Sequence, residues 1–294
     1  MKDICAFALL MICFNAGASA NGLPYEKYDH IKQLVADTDT IVKKQSVSVG
    51  ITYGSDASFF GRTSPKRYPY YTGDLIYNAK SGFFAYGSVW KVAGSFPKLD
   101  EVDAGGGYVY RLSKAFTGAV SYTHFFFNRD AEIIKSLSTN DIDLKNAYDW
   151  KLVKTSLSLD YLFGKASDIF ATPSLSKYIE TKWGVFDDKD YLTFTPTISM
   201  ILGTQNFVEH YSNDQRGDPA SGSGYAHETD NMRTAHANRQ FNALNYSFKL
   251  PIAYNRPHYT LEASTKYSIP VNVEGQLKNH KEVFFNLTFY YVFY

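Results

Sequence analysis

The sequence predicts an all-β chain: a transmembrane, antiparallel up-and-down β-barrel of about twelve strands, with ten or fourteen as the alternatives. Three observations predict it. From residue 46 onward, apolar residues recur at every second position over stretches of strand length, the period that lines one face of an extended chain. Short turn signals alternate with longer polar connections, as expected of a barrel with tight turns at one end and long loops at the other. The chain also carries 24 tyrosines and 22 phenylalanines. A membrane barrel uses such rings twice, on its lipid face and at the two interfaces where ring and hydroxyl meet different solvents.

The N-terminus reads as a secretory signal over residues 1–20. Lys2 is a short basic start, Ile4 to Phe14 is apolar, and Ala18-Ser19-Ala20 is a small-residue cleavage site. The apolar run is shorter than the roughly 20 residues a membrane helix needs. Ile12 stands before Cys13 where a lipoprotein signal requires a small residue. Both cysteines, Cys5 and Cys13, fall in this segment, so the remainder has neither a disulfide framework nor thiol chemistry. Residues 21–45 form a second unit. Tyr25 to Val35 suits a short helix, and the segment reads as a periplasmic extension or a plug of the lumen.

The barrel unit is 46–294. Val47, Val49, Ile51 and Tyr53 oppose Ser46, Ser48, Gly50 and Thr52. Residues 68–79 set Tyr71, Leu75 and Tyr77 against Thr72 and Asp74, and Asn78-Ala79-Lys80-Ser81-Gly82 turns the chain. Phe83 to Val92 is aromatic on both faces. Val102, Ala104, Tyr108, Tyr110 and Leu112 oppose Asp103, Gly105, Gly107 and Arg111; within this strand Gly105-Gly106-Gly107 relieves crowding or bends the wall. A turn at Ser113-Lys114 leads into Phe116 to Phe127, and the polar segment 128–150 reads as a long connection. Val153 to Phe163 alternates cleanly, Gly164 to Asp168 turns, and a strand follows from about 169 to 183. Asp187 to Asp190 marks the next connection, before Leu192 to Leu202. Residues 213–238, rich in Gly, Asn, Asp, Ser and His, form a long loop. Leu244 to Tyr254, Tyr259 to Ile269 and Phe285 to Phe293 complete the count at eleven. An even number requires one more strand, and Asn206 to Tyr211 supplies it in this reading. The connections around 56–67, 128–150 and 213–238 then share the long-loop end.

The closing strand says most about the chain. Phe285, Leu287, Phe289, Tyr291 and Phe293 share one face, and Tyr294 follows on the other. This resembles the last strand of Gram-negative outer-membrane β-barrels, and the aromatic strand style is similar to that of uncharacterised barrels of Bacteroidetes-type bacteria. The resemblance implies a place in the cell outer membrane, contact with outer-membrane lipid and lipopolysaccharide, and a porin-like body. It also implies folding by the barrel assembly machinery, which reads an aromatic C-terminus.

With the apolar face toward lipid, the other face points into the lumen. Asp74, Asp103, Asp160 and Glu262 fall there with Arg111, Lys154, Lys249 and Lys266. Such a near-neutral set suits either a salt-bridged filling or a narrow channel whose selectivity it sets. The function read from the residues is therefore a narrow channel or a structural, surface-interacting barrel. Thirty basic and 29 acidic residues leave a net charge of +1, which gives nucleic acid no handle. No cofactor motif is present, and His227, Asp230 and His236 fit no ordinary metal spacing.

Two other readings stand beside this one. His210-Tyr211-Ser212-Asn213 resembles the His-x-Ser-Asn segment of outer-membrane lipid A deacylases, which implies His210 as base and Ser212 as nucleophile, with Glu228 as the candidate orienting acid. The third reading is a soluble exported β-protein that buries its aromatic residues in a core. Fractionation separates it from the other two: a barrel should sediment with outer membranes and resist carbonate extraction, whereas a soluble monomer without detergent would end the barrel reading.

Overall fold

The computed structural model describes residues 45–94, 99–128, 138–207, 240–274 and 277–294. Its strands are β1 (Ser46–Gly54), β2 (Ser58–Phe59), β3 (Arg62–Thr63), β4 (Tyr70–Asn78), β5 (Phe83–Val92), β6 (Glu101–Arg111), β7 (Phe116–Phe127) and β8 (Ser138–Asp149). They continue as β9 (Lys154–Gly164), β10 (Ser167–Ser176), β11 (Ile179–Glu180), β12 (Tyr191–Phe194), β13 (Thr197–Gly203), β14 (Asn242–Asn255), β15 (Tyr259–Pro270) and β16 (Glu282–Phe293). Strands β2 and β3 form a separate hairpin; every other strand pairs antiparallel with its neighbours in the ring. β16 pairs with β15 on one edge and β1 on the other, which closes the ring.

Two staves of the ring are interrupted. β10 and β11 continue one register, as do β12 and β13, so the closed barrel has twelve strands. Proline, which brings no N–H to a ladder, sits in the β12–β13 break. Pro196 lies between β12 and β13, and the pairing with β14 lapses there beside Pro251, whose carbonyl accepts from Thr195. Likewise the β10–β13 pairing skips Thr172 and Pro173.

The count of twelve is as expected, but one strand lies elsewhere. Segment 128–150 is not a single connection, because β8 occupies its second half with Ile142, Leu144 and Tyr148 facing outward between polar residues. Its outward side is mostly apolar but its other residues are Asp, Asn, Lys and Thr, which hid the alternation. Conversely, Asn206 and Phe207 have helical rather than extended backbone, and 208–212 lie outside the described residues. With β8 in place, the 165–166 turn moves to the long-loop end, and the 181–190 connection to the short-turn end. The signal at 1–20, the segment 21–44 and the loop at 213–238 also lie outside the described residues.

The faces follow the sequence parity. Val49, Ile51, Leu75, Val120, Leu159, Ile198, Phe248 and Leu261 point out, and so do Phe285, Leu287, Phe289, Tyr291 and Phe293, while Tyr294 follows the strand end, exposed. A soluble protein would bury this continuous apolar ring; the third sequence reading has no place for it. Inward positions are buried: Ser48, Thr52, Thr72, Ser88, Ser121, Thr123, Ser158, Thr172, Ser247, Ser264 and Thr288 line the lumen with hydroxyls. Aromatic side chains fill the gaps between them. Tyr86 bonds Thr123 through its hydroxyl, and its ring crosses Gly105, where a Cβ would collide with that hydroxyl oxygen. The glycine run of β6 thus makes room for the rings of β5.

Lipid-facing Leu159→Arg and Phe248→Arg should each cost about 2–4 kcal/mol of barrel stability if they sit near the bilayer midplane. Leu159→Ala should assemble normally. Heat-modifiable gel migration and urea unfolding in lipid measure both; equal behaviour of Leu159→Arg and Leu159→Ala would show that this face is not in hydrocarbon.

Candidate functional site

The β1–β4 connection does not extend away from the barrel. It doubles back as the β2–β3 hairpin, whose tip residues Phe60 (φ 42°) and Gly61 (φ 74°) both take left-handed backbone, the requirement of the tight hairpin turn that follows strand twist. Glycine adopts this freely, and a side chain at 61 would also strike Asn245, 2.5 Å from the new Cβ. Phenylalanine at such a φ is strained by roughly 1–3 kcal/mol. Packing offsets it: the Phe60 ring stacks on Phe170 of β10 with centroids 3.7 Å apart and planes at 9°. Phe59 and Phe60 join Leu162, Phe170, Ile201, Phe207, Leu244 and Leu277 in one buried apolar cluster. Leu162, Phe170 and Ile201 are inward residues of β9, β10 and β13, so the hairpin leaves the β1–β4 wall and crosses the mouth to the far wall.

Arg62 locks it there. The side chain is fully buried. Nε and Nη2 donate to Oε1 of Gln205 at 3.0 and 2.6 Å, Nη1 donates to the Leu244 carbonyl at 2.7 Å, and Nη2 donates to the carbonyls of Val271 and Asn272 at 2.8 and 2.9 Å. Gln205 in turn donates to Glu274 at 3.1 Å, so the amide links cation to carboxylate. Burial pushes the guanidinium down to about 10, with Glu274 opposing the shift; Arg62 stays charged at neutral pH. The acceptors come from the β13–β14 connection, the start of β14 and the β15–β16 connection, so one side chain ties the hairpin to all three.

The base of the hairpin has its own fastening. Oδ1 of Asp56 accepts from the amides of Ala57 (2.9 Å) and Tyr68 (2.7 Å), stapling the outgoing and returning legs. Glu282, the first residue of β16, accepts from Thr63 at 3.2 Å and meets Lys278 and Arg67. Asp56 is buried, and this desolvation, with Glu282 nearby, pushes its carboxyl up to about 6 against the pull of the Tyr68 amide and Lys278.

Below the plug, the lumen carries the charges expected from parity. Asp74, Asp103, Asp160, Glu262, Lys249 and Lys266 are all inward and buried. Arg111 and Lys154 keep that parity but stand at the short-turn end, Arg111 exposed and Lys154 half-buried. Hydroxyls serve the acids: Asp74 accepts from Ser88 and Thr72, and Asp143 from Ser158 and Ser121. The lumen is more acidic than the eight residues suggested. Glu101, Asp141 and Asp143 are also inward and buried, two of them on the strand that the sequence reading took for a loop. Asp143 and Asp160 face each other across β8–β9, while Lys249 and Lys266 face each other across β14–β15 on another part of the wall.

The residues of the hydrolase reading, His210, Ser212 and Glu228, lie outside the described residues. Nδ1 of His124, on the outer face, donates at 2.9 Å to Oδ1 of Asn140, which also accepts from the Tyr122 hydroxyl at 2.7 Å. Asn128 instead bonds the Leu99 carbonyl. Among the described residues, no group of three or more His, Cys, Asp or Glu is placed to hold a metal ion.

A closed ring, apolar outside and polar inside, is a transmembrane β-barrel of the outer-membrane type: only a bilayer satisfies both faces, and only closure pairs every edge in lipid. No protein-family model matches the chain, and no curated protein matches it. Among solved structures it is similar to the KdgM porin, at 9% identity over 84% of this chain and 99% of the porin, with a TM-score of 0.45. It is similar to the translocator domain of the autotransporter NalP from Neisseria meningitidis, at 9% identity over 90% and 95%, with a TM-score of 0.43. It is also similar to LpxR from Salmonella typhimurium, at 7% identity over 83% and 99%, with a TM-score of 0.43. These identities carry no residue's role across to this chain.

Arg62→Ala should free the hairpin, because Oε1 of Gln205 loses both its donors and the carbonyls of Leu244, Val271 and Asn272 each lose one, a loss on the order of 3 kcal/mol. Trypsin should then cut faster at Lys66 or Arg67, while the barrel itself stays heat-modifiable. An unchanged cleavage rate would show that Arg62 does not hold the plug.

Proposed function

We propose that this chain is an outer-membrane channel whose extracellular mouth is held shut by its own first connection. The observation that carries this reading is the β2–β3 hairpin lodged in the long-loop mouth and pinned by the buried Arg62. A barrel meant only as a wall has no use for a strained turn and a desolvated cation in its opening; apolar filling would be the simpler solution. The lumen behind it favours small cations. Glu101, Asp103, Asp141, Asp143 and Asp160 lie along β6, β8 and β9, and the lysine pair of β14–β15 gives the interior a transverse field. The short-turn end, which holds the C-terminus, faces the periplasm, and the long loops face out.

Conductance in planar bilayers tests the reading. The natural protein should be nearly silent with brief openings. Arg62→Ala, or replacement of 58–63 by a short Gly-Ser linker, should raise the open fraction at least tenfold, with cation preference that Asp143→Asn weakens. Silence in all of these variants, verified as folded, would leave a filled structural barrel and overturn the channel.

A further inference from the structure

We propose that Asp56 is an acid-closed latch: its protonation holds the plug in the mouth, and its ionisation releases the hairpin's base. The inference rests on the plug reading of the mouth and adds its regulation. The geometry has three parts. Oδ1 of Asp56 staples the two legs of the β1–β4 connection through the amides of Ala57 and Tyr68. Oδ2 is buried and accepts no hydrogen bond among the described residues. Among the described residues, the charged groups facing this carboxyl are Glu282 and Lys278, from β16 and the connection before it. Lys278 is already engaged by Glu282, and Arg67, on the returning leg, also reaches Glu282 and is largely exposed.

Ionisation therefore has two costs in the closed state. It places a second negative charge beside Glu282, and it leaves a charged oxygen without solvent or donor. Protonation removes both while Oδ1 keeps its two amide bonds. In the released loop, water solvates the carboxylate and the costs vanish. The sign comes from the values on the two sides: the carboxyl is raised in the closed plug to about 6, against 3.8 for an ordinary aspartate. Closure is thus strongest in acid and weakens as pH rises through about 6. Between roughly pH 5 and pH 8 the change in the closed-to-released ratio is about tenfold at most.

Thiol labelling tests this without requiring conduction. The only natural cysteines are Cys5 and Cys13, in the segment expected to be removed, so Ser58→Cys gives a single buried reporter on the hairpin. Its maleimide labelling is normalised to the urea-unfolded protein at the same pH, which cancels the thiol's own titration. Labelling should rise several-fold from about pH 5 to about pH 8. Adding Asp56→Asn should flatten the profile, because the amide keeps an accepting oxygen and never ionises. Glu282→Gln should instead move the midpoint to lower pH and provides the second arm if the Asn variant does not fold. Labelling that is flat in the natural background, or equally steep with Asp56→Asn, overturns the latch. A pH-dependent label on a barrel that never conducts overturns the channel and leaves the latch standing.

Discussion

The structure depends on one constraint: hydrocarbon offers no hydrogen bonds, so every backbone N–H and C=O that crosses the bilayer must find its partner in the chain. β16 meets this by pairing along both edges, with β15 from Tyr259↔Tyr291 to Ser268↔Glu282 and with β1 from Val47↔Phe293 to Gly54↔Asn286. Once the ring closes, the pleat decides everything else. Alternate residues must be apolar for lipid, and the remainder are committed to an enclosed space. Even the prolines obey this. Pro173, Pro196 and Pro251 gather on the β10–β13–β14 wall, so that the missing donors fall together near the pairing gaps rather than at scattered points in the lipid ladder.

The enclosed space is then filled by a second principle, the cost of burying unsatisfied polar atoms. Short hydroxyl side chains line the lumen and meet the carboxylates, while large rings from β4, β5 and β16 take up volume. At the mouth the solution is different. A hairpin from the chain's first connection enters with an apolar tip and a cationic hand. Phe60 has a place to stack, and Arg62 uses its planar fork to reach an amide and three carbonyl groups at once. A lysine would present only a point charge and three donors, with no fork to span these acceptors. The hairpin's tip is held in place by tertiary contacts, since its own ladder is only two residues long.

Much of the barrel was legible because strand alternation is a local signal. The lipid face of β9, β13 and β16 could be read residue by residue, and so could the inward position of Asp74, Asp103, Asp160, Glu262, Lys249 and Lys266. On β14 the reading holds from Tyr246 onward, but Leu244, expected on the lipid face, is buried in the cluster around the hairpin, where the pairing with β13 shifts register. β8 was not legible: Asp141, Asp143, Lys145 and Asn146 made it look like a loop, and only its pairing with β7 and β9 makes Ile142 and Leu144 lipid-facing. The plug was not legible either. Ser58-Phe59-Phe60-Gly61-Arg62-Thr63 reads as an ordinary turn in a long connection, and nothing local says that Phe170, Gln205, Leu244 and Asn272 wait for it.

By itself, then, the sequence determined the consequences of period two: an all-β chain, its two faces, its closing aromatic strand and a membrane as solvent. That information is local, because each side chain's direction is set by its own backbone. The tertiary structure decided which twelve segments form the ring, that the acids of β8 join the lumen, and that the first connection turns inward to be gripped by Arg62. Those outcomes depend on distant partners, as Arg62 and Asn272 are, 210 residues apart, and no local pattern encodes a contact whose other half is supplied only when the barrel closes.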